Sequence, residues 1–209
     1  MMSEFIKDYE IEETSEAKQF EYFSTYCIVE NKFDEEFSPE YVIGDGGDHG
    51  IDGILVYCNG EIVTDLDQAE DLITRNKKLM GLEFVCIQAK TSEKFSASEI
   101  SNFGYGVTKL FESAIDPNAP FNASNTSIKK YRSIISKLYD PNNSWLFSQN
   151  YFSCFVFEMQ TNILRLGYPH RLRWRGVLDF FKNDGQKQVK IAYNKLLCMT
   201  KRQSEGCQF

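Results

Sequence analysis

The chain has 209 residues and a formal net charge of −7, with 42% hydrophobic and 25% charged residues. This is the composition of an ordinary globular protein, and it excludes a disordered or fibrous chain. The length allows one sizeable core and excludes a miniature domain held together by disulfide bonds.

The first predicted elements are a helix, a short strand and a glycine-rich loop. Residues 14–33 carry apolar side chains at helical spacing after a Ser/Thr-containing N-cap, which predicts a helix. Residues 37–43 are β-prone and predict a strand. Residues 44–50 contain four glycines in seven positions, so we expect a loop with unusual backbone angles.

A hairpin and a second helix are predicted next. Residues 51–57 and 61–63 predict two strands, and Asn59-Gly60 between them is a strong signal for a two-residue turn. Residues 65–80 then predict a helix, which we expect to end before the following glycine.

The remaining pattern contains two further strands and three further helices. Residues 82–90 are mainly apolar, as expected of a central strand that is buried on both faces. Helices are predicted over 96–114 and 128–139, a strand over 151–159, and a weaker helix over 188–199. This alternation predicts an α/β or α+β fold, in which helices flank a mixed β-sheet.

The six cysteines are far apart and lack zinc-site spacing, so we expect buried thiols in a reduced protein. The acidic N-terminus does not resemble a secretory signal, and no apolar run approaches the roughly 18 residues that cross a bilayer. We therefore expect a cytoplasmic protein with no membrane partner.

Three polar residues at strand ends are candidates for chemistry. Asp52 follows the glycine-rich loop, and Gln88 and Lys90 end the apolar strand. Residues two apart on a strand point to the same face, so Gln88 and Lys90 project together, and Asp52 joins them if the two strands are neighbours. The alternatives are a turn-capping aspartate and a lysine at a sheet edge.

Phosphodiester hydrolysis uses such a set of groups. Carboxylate and amide oxygens, here Asp52 and Gln88, bind a magnesium ion, and the Ala89 carbonyl is a further candidate ligand. Lys90 would position or deprotonate water and offset phosphate charge. Glu21 on the first helix is a candidate second carboxylate, with a solvated helix residue as the equal alternative.

The glycine-rich loop fits neither a phosphate-binding loop nor an EF-hand, because its glycines and aspartates have the wrong spacing. Asp45 and Asp48 either enlarge the negative field or shape the loop. For Asp48 we favour hydrogen bonding to backbone amides.

These motifs resemble those of a known superfamily. Gly50-Ile51-Asp52-Gly53-Ile54 followed by Ile87-Gln88-Ala89-Lys90 resembles the PD-(D/E)xK nuclease pattern in its QxK variant, and Phe20-Glu21 resembles the pair that opens that domain. The longer pattern, from Asp48 through the helix around residues 103–111, is similar to the N-terminal region of the abortive-infection phage-resistance (AIPR) proteins.

The resemblance implies a restriction-endonuclease-like core and a metal-dependent endonuclease of bacterial anti-phage defence. It implies catalytic roles for Asp52, Gln88, Lys90 and Glu21, and Mg²⁺ or Mn²⁺ ligation by Asp52, Gln88, Ala89 and Glu21. DNA is the expected partner, with RNA and homodimerisation left open. The alternative is a catalytically inactive nucleic-acid- or protein-binding module with the same fold.

The resemblance divides the chain into a nuclease-like domain over 1–160 and a basic C-terminal segment over 161–209. Members of the family are typically longer, which leaves open whether the chain is a fragment. The net charge also divides: residues 1–72 carry 20 acidic and 3 basic side chains (−17), and residues 73–209 carry 10 acidic and 20 basic (+10). The expected metal ligands Glu21 and Asp52 lie in the acidic part, although an acidic surface is explained equally well by solubility.

Overall fold

The computed structural model describes residues 2–12, 15–33, 35–44, 46–76, 80–91, 97–140, 147–158 and 169–170. The helix predicted over 188–199 lies outside the described residues, as do Asp45 and nearly all of the basic segment 161–209. No helix within the described ranges has the length and apolar character needed to cross a membrane.

The described residues form an α+β fold with five α-helices and one mixed sheet. The helices are α1 (Met2–Asp8), α2 (Glu16–Ile28), α3 (Leu66–Arg75), α4 (Ala97–Ile115) and α5 (Thr126–Leu138). The strands are β1 (Gly53–Cys58), β2 (Glu61–Ile62), β3 (Met80–Lys90), β4 (Phe147–Glu158) and β5 (Pro169–His170). Their order in the sheet is β2-β1-β3-β4-β5.

The central strand β3 determines the character of the sheet. It pairs antiparallel with β1, from Gly53 opposite Ile87 to Cys58 opposite Leu82, and parallel with β4. The prediction of a mixed sheet is therefore confirmed. The predicted hairpin is also confirmed, because Asn59 (φ 53°) joins β1 to β2 through a turn with positive φ angles.

The two faces of the sheet pack against different helices. Side chains alternate along β1, so that Ile54 lies in a core with α3, α4 and α5, whereas Leu55 lies in a core with α1 and α2. On β3 the same alternation separates Phe84 from Val85. The apolar strand predicted over 82–90 is therefore buried on both faces, and the helices flank the sheet as expected.

The first predicted helix is confirmed as α2. The Ser15 side chain caps it by accepting a hydrogen bond from the Lys18 N–H at 3.5 Å. After Ile28 the backbone continues as a π-helical turn over Val29–Phe33, so the helical segment reaches its predicted end. The short helix α1 was not predicted; Phe5 holds it against α2 through ring contacts such as that with Tyr26 at 4.7 Å.

Two sequence predictions are wrong. The strand predicted over 37–43 is a 3₁₀ turn at Pro39–Tyr41, because proline lacks the N–H of a strand ladder and suits a helical first turn. From that segment Val42 forms a single bridge to Gly53. The helix predicted over 65–80 ends at Arg75, and Met80 already belongs to β3, where it pairs with β4.

Candidate functional site

Asp52 lies just before β1 and is held by backbone contacts on three sides. Its N–H donates to the Ile87 carbonyl at 2.8 Å, and its own carbonyl accepts from the Ile43 N–H at 2.8 Å. Its Oδ2 accepts a hydrogen bond from the Ala89 N–H at 2.8 Å. The side chain is only 6% exposed, so the carboxylate has a fixed place at the end of the β1–β3 ladder.

Glu21 on α2 points to the same end of the sheet. Its side chain is 18% exposed and forms a close ion pair with Lys18. The Lys18 ammonium also donates to the Ile43 carbonyl at 2.7 Å, which ties α2 to the segment that pairs with Asp52. Glu21 is therefore partly buried and ion-paired in this structure, rather than fully solvated.

The electrostatics of the site couple Glu21, Asp52 and Lys90. Burial, and next the negative charge of Glu21, raise the pKa of Asp52 to about 7, while the Ala89 N–H and Lys90 oppose the rise. Burial also raises the pKa of Glu21, which Lys18 and Lys90 oppose. Two carboxylates thus share one partly buried field, with Lys90 attracting both.

Gln88 is 2% exposed, and only one of the two polar atoms of its amide has a hydrogen-bond partner among the described residues. Its Nε2 donates to the Gly50 carbonyl at 3.1 Å. Its Oε1 is buried and has no hydrogen-bond partner among the described residues. A buried acceptor without a hydrogen bond costs folding free energy. The Gln88 oxygen is therefore suited to binding a cation or a hydrogen-bond donor.

Gln88 and Lys90 also border a cavity of about 370 Å³, here called the α4 cavity. Its lining comprises these two residues of β3, His49 and Gly50 of the glycine-rich loop, and Glu99, Asn102 and Tyr105 of α4. The prediction that Gln88 and Lys90 project together is therefore confirmed. Lys90 faces the cavity and also attracts the carboxylates of Asp52 and Glu21.

The glycine-rich loop is confirmed as a loop with special backbone angles, including positive φ at Gly50 (78°) and at His49 (57°). Asp48 shapes it as favoured above, because its Oδ1 accepts a hydrogen bond from the Gly50 N–H at 2.8 Å. Gly50 is the point at which Gln88 is anchored. The loop therefore positions one of the candidate ligands.

Two residues that the sequence reading missed hold this loop in place. Asn125 caps α5 with Oδ1, and its Nδ2 donates to the carbonyls of Gly44 and Gly46. Gly106 lets α4 approach so closely that a Cβ there would lie 2.3 Å from the His49 carbonyl oxygen. The sequence could have indicated Asn125 as the N-cap of α5. No local sequence signal indicates its hydrogen bonds to the glycine-rich loop or the close approach of Gly106 to His49.

The donors present fit a hard divalent cation. The site offers two carboxylates that disfavour each other's charge, and the unpaired amide oxygen of Gln88, all of them oxygen ligands. No cluster of three or more His, Cys, Asp or Glu side chains suited to a metal occurs in the part of the chain that the structure describes. The fit therefore depends on the amide oxygen of Gln88 as well as on the carboxylates. Ala89 is seen here as the N–H donor to Asp52.

The chain was compared with family models, with curated proteins and with solved structures, and none of these comparisons found a match. The family is therefore not shown by similarity. What the site does has to be inferred from the chemistry of Glu21, Asp52, Gln88 and Lys90.

Proposed function

We propose that this chain is a metal-dependent endonuclease that hydrolyses DNA phosphodiester bonds. The observation that carries the proposal is the electrostatic coupling of Glu21, Asp52 and Lys90 at the end of β1 and β3. The unpaired Oε1 of Gln88, two residues before Lys90 on β3, adds a further oxygen. Carboxylates can hold a metal ion that activates water, and a lysine can stabilise the charge that develops on a phosphate during hydrolysis.

Asp52, Gln88, Glu21 and the Ala89 carbonyl would hold Mg²⁺ or Mn²⁺. The ion would supply positive charge for the phosphate oxygens and lower the pKa of water. Asp52 must be deprotonated to bind it, which its pKa of about 7 permits at and above neutral pH.

Lys90 performs the remaining chemistry in this proposal. It lines the α4 cavity and also attracts the carboxylates of Asp52 and Glu21, so its charge acts on a substrate in the cavity and on the acidic groups. There it orients the attacking water, and its charge offsets the negative charge that develops on the scissile phosphate. Lys18 plays a different part, because it is committed to Glu21 and the Ile43 carbonyl.

The wider assignment is part of the same proposal. The core would be the restriction-endonuclease-like core of the PD-(D/E)xK superfamily, QxK variant, and the biological role bacterial anti-phage defence of the AIPR type. The α+β fold, the placement of Asp52 just before β1 and of Gln88 on the neighbouring strand β3, and Glu21 on the preceding helix support it. DNA is the proposed substrate and RNA is the alternative. The proposal is compatible with a monomer or a homodimer.

The test is nicking of supercoiled plasmid DNA with Mg²⁺ by the wild-type chain, Lys90→Ala and the control Lys129→Ala, which alters an exposed lysine of α5. We expect Lys90→Ala to lose activity by about 10²-fold or more and the control to retain it. Equal nicking by Lys90→Ala and wild type, or none in wild type with any of several divalent ions, would contradict the proposal. DNA binding that ignores Mg²⁺ and Asp52→Ala would instead indicate the inactive binding module.

A further inference from the structure

The α4 cavity extends the candidate site toward the solvent. Its volume of about 370 Å³ lies within the range of about 300 to 1,000 Å³ typical of small-molecule sites. One wall is formed by Gln88 and Lys90, and the opposite wall by one face of α4. A group that occupies the cavity would therefore lie directly beside the proposed site of phosphate hydrolysis.

Tyr105 gives the α4 wall an exposed aromatic ring. It is 60% exposed, whereas most large apolar side chains of the described residues are buried. The Lys109 ammonium lies 5.6 Å from its ring centroid and is itself paired with Glu112. A cation on one face of an aromatic ring leaves the other face for a planar partner.

The α4 wall also offers an amide that suits the edge of a nucleobase, that of Asn102. Asn102 precedes Tyr105 by three residues on α4, so the two side chains are neighbours on one helix face. The Asn102 amide both donates and accepts hydrogen bonds, as base edges require.

We propose that the α4 cavity receives an unstacked nucleobase next to the scissile phosphate, with Tyr105 as its stacking platform. In an intact duplex the bases are already stacked and paired, so the proposal predicts a preference for single-stranded or locally melted nucleic acid. The position next to a scissile phosphate rests on the proposed function, whereas the binding of the base does not require cleavage.

The test measures binding of a short single-stranded DNA that contains 2-aminopurine, with EDTA present so that no hydrolysis occurs. We expect quenching of the 2-aminopurine emission by wild type and by Tyr105→Phe, which keeps the ring. Tyr105→Ala should bind roughly 5- to 150-fold more weakly and without quenching. The control Ile115→Ala removes another exposed apolar side chain of α4, 42% exposed, and should bind as wild type does.

Two further arms identify the source of the base. The same strand annealed into a duplex should bind more weakly, and free deoxyadenosine monophosphate should compete poorly. Three results would each overturn the inference. They are equal binding by Tyr105→Ala and wild type, tighter binding of the duplex than of the single strand, and binding of the free nucleotide as tight as binding of the strand. If binding depends on Tyr105 but the protein does not nick DNA, only the proposed nuclease function is contradicted. If the protein nicks DNA but its binding does not depend on Tyr105, only the present inference is contradicted.

Discussion

The Asp52→Asn variant should be more stable than the wild-type chain at alkaline pH. Asp52 in the folded protein keeps its proton until about pH 7, whereas an unfolded aspartate releases it near its ordinary pKa of 3.8. Between these values the folded state binds more protons, so its stability falls as pH rises. At about 1.4 kcal/mol per pH unit, the full cost of the buried charge is about 4 kcal/mol.

About 3 kcal/mol of this cost should appear between pH 5 and pH 8. The assay is urea unfolding of wild type, Asp52→Asn and the control Asp67→Asn, which makes the same change at an exposed position of α3. We expect wild type and the control to lose stability over this range. Asp52→Asn should lose much less, with a residual decline from Glu21, whose pKa is also raised.

Magnesium provides a second readout of the same reasoning. At pH 8, Mg²⁺ at one hundred times its dissociation constant should stabilise wild type by about 3 kcal/mol and leave Asp52→Asn unchanged. If the free energies of unfolding of wild type and Asp52→Asn changed in parallel from pH 5 to 8, Asp52 would not be a buried carboxyl with a raised pKa.

Three other perturbations test the site and its supports. Because the carboxylate form of Asp52 binds the ion, the Mn²⁺ affinity measured by calorimetry should fall about tenfold per pH unit below pH 7, and a flat profile would argue against Asp52 as a ligand. Gly106→Ala should lower the melting temperature by circular dichroism, since contact with the His49 carbonyl outweighs a helix-propensity gain of about 1 kcal/mol, and a higher melting temperature would contradict the close approach. Asn125→Asp keeps an acceptor for the Ile128 N–H but loses the amide donors, so the free energy of unfolding should drop by roughly 1 to 3 kcal/mol; no change in urea unfolding would contradict this.

The pair of strands that carries the candidate site was predictable because its signals are local. Asn59-Gly60 specifies a tight turn, and the apolar run before Gln88 and Lys90 specifies a buried strand, so strand periodicity places both side chains on one face. Asp52 needed one further assumption, that the two strands are neighbours, and the antiparallel ladder satisfies it.

The supports of the site were not predictable from local pattern. In the sequence, Lys18 does not differ from other polar residues on a helix. Its ammonium contacts the Ile43 carbonyl only because α2 packs against that segment. The contact of Gly106 with the loop likewise joins residues that are far apart in sequence. Local sequence predicts a helix at Met80, because the strand β4 that pairs with it lies far away in the sequence.

The parallel pairing of β3 with β4 has a consequence for the order of assembly. The ladder runs from Met80 opposite Phe147 to Lys90 opposite Glu158, and both α4 and α5 lie between the two strands in sequence. During synthesis, β3 therefore emerges long before its parallel neighbour, with only β1 to pair with. Lys90 reaches its final strand pairing only after β4 has been made, so the candidate site cannot be complete before β4 has joined the sheet.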